Sequence, residues 1–234
     1  MTHSKYSPSS ASRWLECPAS LKYAASYDHN INIFTGSVAH YIAEQSLKNK
    51  TPAKDWLDIA FYCNDGNLSL TDNNSDLILY AHSEIIDGVQ SYLDYVYSLE
   101  LDSFEVEYLC KDSDFGFGTA DIVGMKDEVL HIIDFKFGKY KVSAVENKQL
   151  MLYALWSGKK FLDCKLHIFQ PRVEPSISVY EFNIHHMREF GNRVKKAYQN
   201  IQKFPNLENY SKSACRFCKG KKFCNTFKVN SNVK

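Results

Sequence analysis

Residues 129–137 read Val-Leu-His-Ile-Ile-Asp-Phe-Lys-Phe. A short run of this kind predicts a buried strand. It nevertheless places Asp134 and Lys136 two residues apart, on one face of that strand. Burying an acid or a base without a partner costs on the order of several kcal/mol. Any fold of this chain must therefore give both groups something to do.

The neighbouring segments fix what surrounds that strand. Residues 104–109 alternate at period two, 112–116 supply turn residues, and 117–125 form a second strand. The turn Lys126-Asp127-Glu128 joins it to the third strand, 129–137. A helix over 144–157, strands over 165–169 and 177–182, and a helix over 184–203 follow. Ahead of these, Ser9 or Ser10 caps a first helix carrying Trp14, Leu15, Leu21 and Tyr23, interrupted by Pro18. A second helix follows Gly36, with Val38, Ala39, Ile42, Ala43 and Leu47 at helical spacing. Residues 55–75, polar and rich in Asn and Asp, predict mostly loop, and a long amphipathic helix runs from Leu77 to near Leu99. The order predicts an α/β fold, a mixed sheet flanked by helices with a helical region ahead of it.

With 234 residues, 44% hydrophobic and 24% charged, the chain can bury one substantial core and a small appendage. Its net charge of +1 conceals an uneven spread. Asp55, Asp58, Asp65, Asp72 and Asp76 make an acidic stretch. From Lys203 onward, eight basic residues are opposed by Glu208 alone, which suits a polyanionic partner or simply a solvated tail. No apolar stretch reaches the ~18–20 residues of a membrane span, and the first residues lack the apolar segment of a signal peptide, so a cytoplasmic location is expected. Seven cysteines, an odd number, argue against a disulfide framework.

A carboxylate and a lysine on one strand face suit phosphodiester hydrolysis. The carboxylate binds a divalent metal, and the lysine stabilises developing charge or orients water. A second acid is needed on a neighbouring strand, and Asp121 stands on the preceding one. Together, Asp121 and Asp134-x-Lys136 resemble the signature of the PD-(D/E)XK nucleases. More narrowly, the chain resembles the RecB-like exonucleases with an iron–sulfur cluster, including CRISPR-associated and phage-encoded relatives. Gly36-x-x-x-His40, Gly116-x-Gly118-x-x-Asp121 and Gln149-x-x-x-Tyr153 match further motifs of that group. Cys17 with Cys215-x-x-Cys218-x5-Cys224 matches its split cysteine set. The match extends over nearly the whole chain.

The resemblance implies a restriction-endonuclease-like core over 101–203. A helical region over 1–100 would contribute Cys17 and His40, and a Cys-rich tail over 204–234 would complete one integrated domain. It implies Asp121, Asp134, Lys136, Gln149 and Tyr153 as catalytic residues. His40, Asp121, Asp134 and the carbonyl of Phe135 would be ligands for Mg²⁺ or Mn²⁺. Gln149 and Tyr153 would orient Lys136 or the phosphate. Aspartate at 134 departs from the glutamate of many relatives, and a histidine ligand favours Mn²⁺. Glu107 reads equally as an outer-sphere acid or a solvent-facing strand acid.

Cys17, Cys215, Cys218 and Cys224 would hold a [4Fe–4S] cluster. Zinc competes, because four thiolates serve both, although the spacing matches the iron–sulfur nucleases better than a zinc ribbon. Cys63, Cys110 and Cys164 read as ordinary buried or partly buried thiols. Arg216, Lys219, Lys221 and Lys222 would contact DNA. Trp14, Phe217 and Phe223 are available either for base stacking or for packing around the cluster.

The implied activity is a metal-dependent exonuclease on single-stranded DNA or DNA ends, in recombination or replication. A recombinase, helicase or single-strand-binding protein would be its partner. The alternatives are a non-catalytic DNA-binding subunit, which has no use for a buried acid–base set, and a zinc module, which leaves the strand motif unexplained. The sequence contains no G-x-x-x-x-G-K-[ST] motif, so unwinding would belong to another chain.

Overall fold

The computed structural model describes residues 4–23, 31–64, 67–72, 75, 77–112, 114–216 and 218–231. Asp65, Asp76 and Phe217 lie outside the described residues. The centre is a five-stranded mixed sheet of β4 (Ser103–Asp112), β5 (Gly116–Lys126), β6 (Val129–Phe135), β7 (Asp163–Phe169) and β8 (Ile177–Asn183), in that order. β4, β5 and β6 run as an antiparallel meander because short turns join them. β6 and β7 are parallel, connected through α4 (Lys148–Trp156), and β8 returns antiparallel. β6 is thus central, and its apolar run is explained by cover on both faces.

One face carries Leu130 and Ile132 against α4, α5 (Ile184–Lys203) and the short α1 (Ala11–Trp14). The other face sends Ile133 and Phe135 against α2 (Ile31–Asn49) and α3 (Ser83–Ser98). Asp134 and Lys136, in phase with Ile132, belong to the α4 side. Tyr92 of α3 stacks on Phe135 at 4.6 Å and 17°, which fixes the ring beneath the end of β6.

The N-terminal half departs from the sequence expectation in three places. The second helix starts at Ile31, one turn and more before Gly36. Residues 55–75 are less loop-like than their polarity suggests. β1 (Ala60–Asn64) pairs with β2 (Asn67–Ser69) and with β3 (Leu77–Tyr80) in a second, three-stranded sheet. The long helix accordingly starts at Ser83, not Leu77. Alternating burial of Leu77 and Leu79 against exposed Ile78 and Tyr80 marks a strand, and Phe61 and Cys63 bury the same face. The first helix is broken as expected, with a 3₁₀ turn at Pro18–Lys22 following Cys17. Beyond α5 the chain closes with α6 (Lys212–Arg216), a 3₁₀ turn at Lys219–Lys222 and α7 (Asn225–Ser231). Cys63, Cys110 and Cys164 are all buried free thiols on strands.

Two histidines occupy the core away from these features. His131 Nδ1 lies 3.1 Å from His167 Nε2, and the Tyr95 hydroxyl lies 2.7 Å from His167 Nδ1. Burial, with Lys165 and Lys126 adding to it, lowers His131 to about 4. Burial, His131 and Lys165 lower His167 to about 3. Both are neutral in the fold and protonate near the ordinary 6.5 when unfolded, so the unfolded chain binds more protons between those values. Stability is therefore full above about pH 6.5 and is lost as pH falls toward 4, by on the order of 3 kcal/mol for each imidazole. Urea unfolding between pH 7.5 and 4.5, with imidazole NMR titrations, should show this loss; two imidazoles titrating near 6.5 would contradict it.

Candidate functional site

The sheet opens at one point, and the candidate residues gather there. The β5–β6 ladder runs from Lys126↔Val129 to Ile122↔Ile133 and stops before Asp121 and Asp134. Instead of a ladder bond, the Phe135 backbone N–H donates to Asp121 Oδ2 at 2.7 Å. On the other side of β5, the β4 ladder passes from Val106↔Ile122 to Tyr108↔Ala120 and skips the pair Glu107/Asp121. Glu107 adopts φ +54°, a left-handed conformation costing a residue with a Cβ about 1–2 kcal/mol. This break ends the strict alternation the sequence suggests for 104–109. Val106 packs toward α2 and α3, while Tyr108, two residues on, packs toward α4.

A cavity beside this opening is lined by His40, Glu44, Tyr92, Glu107, Asp121 and Phe135, among others. His40 of α2 holds Nδ1 3.5 Å from Asp121 Oδ2, with its ring 5.3 Å from Phe135. Glu44 follows His40 by one helical turn. Burial, then Asp121 and Glu44, pushes the Glu107 carboxyl up to about 7, with Lys48 pulling against them. Burial also raises the Tyr92 hydroxyl, and Asp121 and Asp134 add to it. Glu44 and Glu107 are the residues that sequence reasoning missed or left open. The i, i+4 spacing from His40 could have found Glu44, whereas nothing local signals the turned backbone at Glu107.

Asp134 belongs to the opposite side of the strand. It is 2% exposed, with Lys136 Nζ 2.8 Å from Oδ2 and Gln149 Nε2 donating to Oδ1 at 3.2 Å. Gln149 Nε2 also lies 3.1 Å from the Tyr153 hydroxyl, so the two residues act on Asp134 as a connected pair. Their position on α4 is set by Asn147, whose side chain accepts from the Gln149 and Leu150 N–H groups and caps the helix. Gly118 makes the approach possible, because a Cβ there would come within 2.6 Å of Pro8 and 3.2 Å of Tyr153. Burial raises the Asp134 carboxyl and Lys136 pulls it back; burial works against the Lys136 ammonium, but Asp134 and Asp121 outweigh it and raise it. Burial and then Asp134 push the Tyr153 hydroxyl up.

Among the described residues, no three His, Cys, Asp or Glu side chains stand close enough together to cage a metal as placed. His40, Asp121 and Phe135 nonetheless share one cavity, and Asp134 lies across the same strand ends, close enough for its charge to raise the groups around Asp121. An imidazole and converging carboxylates are the donor types that fit Mn²⁺ or Mg²⁺.

The second cluster lies at the chain's two ends. Cys17, Cys215, Cys218 and Cys224 line one cavity with Tyr23, Glu208, Asn209 and Phe227. The Asn209 N–H donates to Cys17 Sγ at 3.4 Å and the Phe227 N–H to Cys224 Sγ at 3.3 Å. Two of the four sulfurs thus accept a backbone N–H, and among the described residues the thiols share this cavity without standing close enough together, as placed, to cage a metal. The basic residues beside it are partly committed. Lys221 Nζ donates to the Arg216 carbonyl at 2.5 Å and lies over the Phe227 ring, while Lys222 is exposed. Trp14 is 1% exposed and donates to the Ser7 carbonyl, so packing is its role; Phe223 is 72% exposed.

The model of one family, described as a protein of unknown function (DUF2800), matches residues 3–233. The chain belongs to the DUF2800 family. Among solved structures it is similar to a protein from Eubacterium rectale named provisionally as an exonuclease. That match has 14% identity over 98% of this chain and 89% of the other, at a TM-score of 0.46. It is also similar to an alkaline exonuclease from Laribacter hongkongensis, with 12% identity over 49% of this chain, at a TM-score of 0.35. The chain spans 64% of that exonuclease's length.

Breaking the pair at Asp134 tests the electrostatics directly. Removing one partner of a buried ion pair costs about 3–5 kcal/mol, and the part-exposed ammonium of Lys136 points to the lower end. Lys136→Met should lower the urea midpoint in metal-free protein by the equivalent of ~3 kcal/mol; an unchanged midpoint would show that Asp134 does not need it.

Proposed function

We propose that this chain is a metal-dependent DNA exonuclease acting on single strands or DNA ends. The observation that carries the reading is the gathering of Asp121, Asp134, Lys136 and His40, from three separate elements, at the one point where the central sheet opens. A scaffold has no reason to bury an acid–base pair beside a second carboxylate and an imidazole.

His40, Asp121, Asp134 and the Phe135 carbonyl would hold Mg²⁺ or Mn²⁺. A divalent cation bound there polarises the phosphate and makes a bound water acidic enough to attack at neutral pH. Lys136, paired with Asp134 at the site's edge, would donate to a phosphate oxygen and stabilise its developing charge. Gln149 keeps Asp134 oriented, and Tyr153 keeps Gln149 oriented. Glu107, held close to Asp121, supplies an outer-sphere acid. Among the described residues, Gly36, one turn before His40, has no neighbour within 4 Å of where its Cβ would stand.

Cys17, Cys215, Cys218 and Cys224 would hold a [4Fe–4S] cluster. That staple ties the helical region (1–100) to the tail (204–234) across the nuclease core (101–203), making them one folding unit. Arg216, Lys219, Lys221 and Lys222 would place positive charge beside the DNA path. A recombinase, helicase or single-strand-binding protein would deliver the ends.

End-labelled single-stranded DNA should be degraded by the wild type with Mn²⁺ or Mg²⁺. Lys136→Ala should slow cleavage by about 10²–10³-fold, the usual loss on deleting one donor to developing charge. Equal rates for both would remove the catalytic assignment. Anaerobic preparations should be brown and contain iron, and Cys17→Ser should lose both colour and stability. A colourless protein with stoichiometric zinc would overturn the iron–sulfur assignment.

A further inference from the structure

The loop between β6 and α4 begins at Lys136 and carries Lys139-Tyr140-Lys141. Its backbone is pinned from one side by residues of the β7–β8 connection. The Arg172 guanidinium donates to the Phe137 carbonyl at 3.3 Å. Gln170, 3% exposed, spends its whole side-chain amide on this loop. Nε2 donates to the carbonyls of Gly138 at 3.4 Å and Tyr140 at 3.1 Å, and Oε1 accepts from the Val142 N–H at 2.7 Å. Ser178 Oγ then accepts the Ala144 N–H at 3.0 Å.

A loop held this firmly has already lost its backbone entropy, so its side chains are presented in a fixed array. What it presents is unusual. Tyr140 is 79% exposed, the most exposed large hydrophobic side chain among the described residues. Lysines flank it on both sides. Lys141 reaches the Glu174 carbonyl at 3.3 Å, and among the described residues no ion pair engages Lys139. The loop leaves Lys136 four residues earlier, so the Cα of Tyr140 lies within about 14 Å of that of Lys136 by chain length alone.

We infer that Tyr140, flanked by Lys139 and Lys141, is a stacking platform for an unpaired base of the single strand entering the site. This inference rests on the nuclease reading and specifies its substrate. An exposed ring with a lysine on either side of it in sequence offers what a single strand binds, a plane for a base and positive charge for its phosphates. A base stacked within a duplex offers no free plane to the ring, so the platform favours unpaired ends. On the α3 side of Lys139 a groove carries Glu84 and Asp87, and Glu84 is already paired with Arg172 at 2.8 Å. Lys139 and Arg172 line the same groove, so its two acids are matched by two bases and that flank adds no net pull on phosphate.

The test uses the full, cofactor-loaded chain and a labelled single-stranded oligonucleotide without added divalent cations, read by fluorescence anisotropy. Tyr140→Ala should weaken binding about five- to 150-fold, and Tyr140→Phe should retain it. The double variant Lys139→Ala/Lys141→Ala should flatten the salt dependence by roughly 1.4 in log–log slope. Blunt duplex should bind the wild type, Tyr140→Ala and Tyr140→Phe alike. Cleavage with Mn²⁺ is measured in parallel on the wild type. If the wild type cuts and binds single strands but Tyr140→Ala binds as tightly, the platform is wrong and the nuclease reading stands. A wild type that neither binds nor cuts overturns both.

Discussion

One hydrogen bond decides the geometry of the candidate site. Where β5 and β6 would continue as a ladder, the Asp121 carboxylate accepts the Phe135 N–H and replaces a backbone partner with a side chain. A backbone donor at the heart of a sheet must be satisfied, so the carboxylate is held in place by a demand of the fold itself. The substitution lets the strands part without leaving an orphan amide. Into that gap come the imidazole of His40 from one side and the Asp134–Lys136 pair from the other. Glu107, in a left-handed conformation, follows from the same opening, because its partner in the ladder has been diverted.

The rest of the fold serves to hold that gap. Tyr92 and Phe135 stack to fix the floor, and α2 packs on α3 to bring His40 over it. On the other face, the Asn147 cap sets where α4 starts, and hence where Gln149 and Tyr153 meet Asp134. The charges satisfy one another in the absence of a cation: Lys136 with Asp134, the Phe135 amide with Asp121. Such an arrangement balances the buried groups against one another within the fold.

Much of this was legible in the sequence, for physical reasons. The buried run of β6 exposed the misfit of Asp134 and Lys136, because charges are rare where both strand faces are covered. Strand order from 104 to 137 followed from short turns, which leave antiparallel pairing as the only geometry. The three-stranded sheet near residue 60 is hidden by its polar composition, since among the described residues just Phe61, Cys63, Leu68, Leu77 and Leu79 carry its buried face. The helix start at Ile31 is harder to read, because Ile31, Asn32 and Ile33 are exposed, although buried Phe34 stands one turn before Val38 on the apolar face. Glu107 was legible as a residue but not as a neighbour of Asp121, because a turned backbone conformation leaves no trace in residue type. The four cysteines were legible as a set, and the fold brings them to one cavity across nearly two hundred residues of intervening chain.

The central claim is that the opening beside Asp121 binds a divalent cation. Calorimetric titration of the protein with Mn²⁺ measures this without reference to cleavage. The account predicts binding by the wild type that weakens at least about tenfold in both His40→Ala and Asp121→Asn, as loss of a ligand requires. No measurable binding, or binding that neither substitution alters, would contradict it.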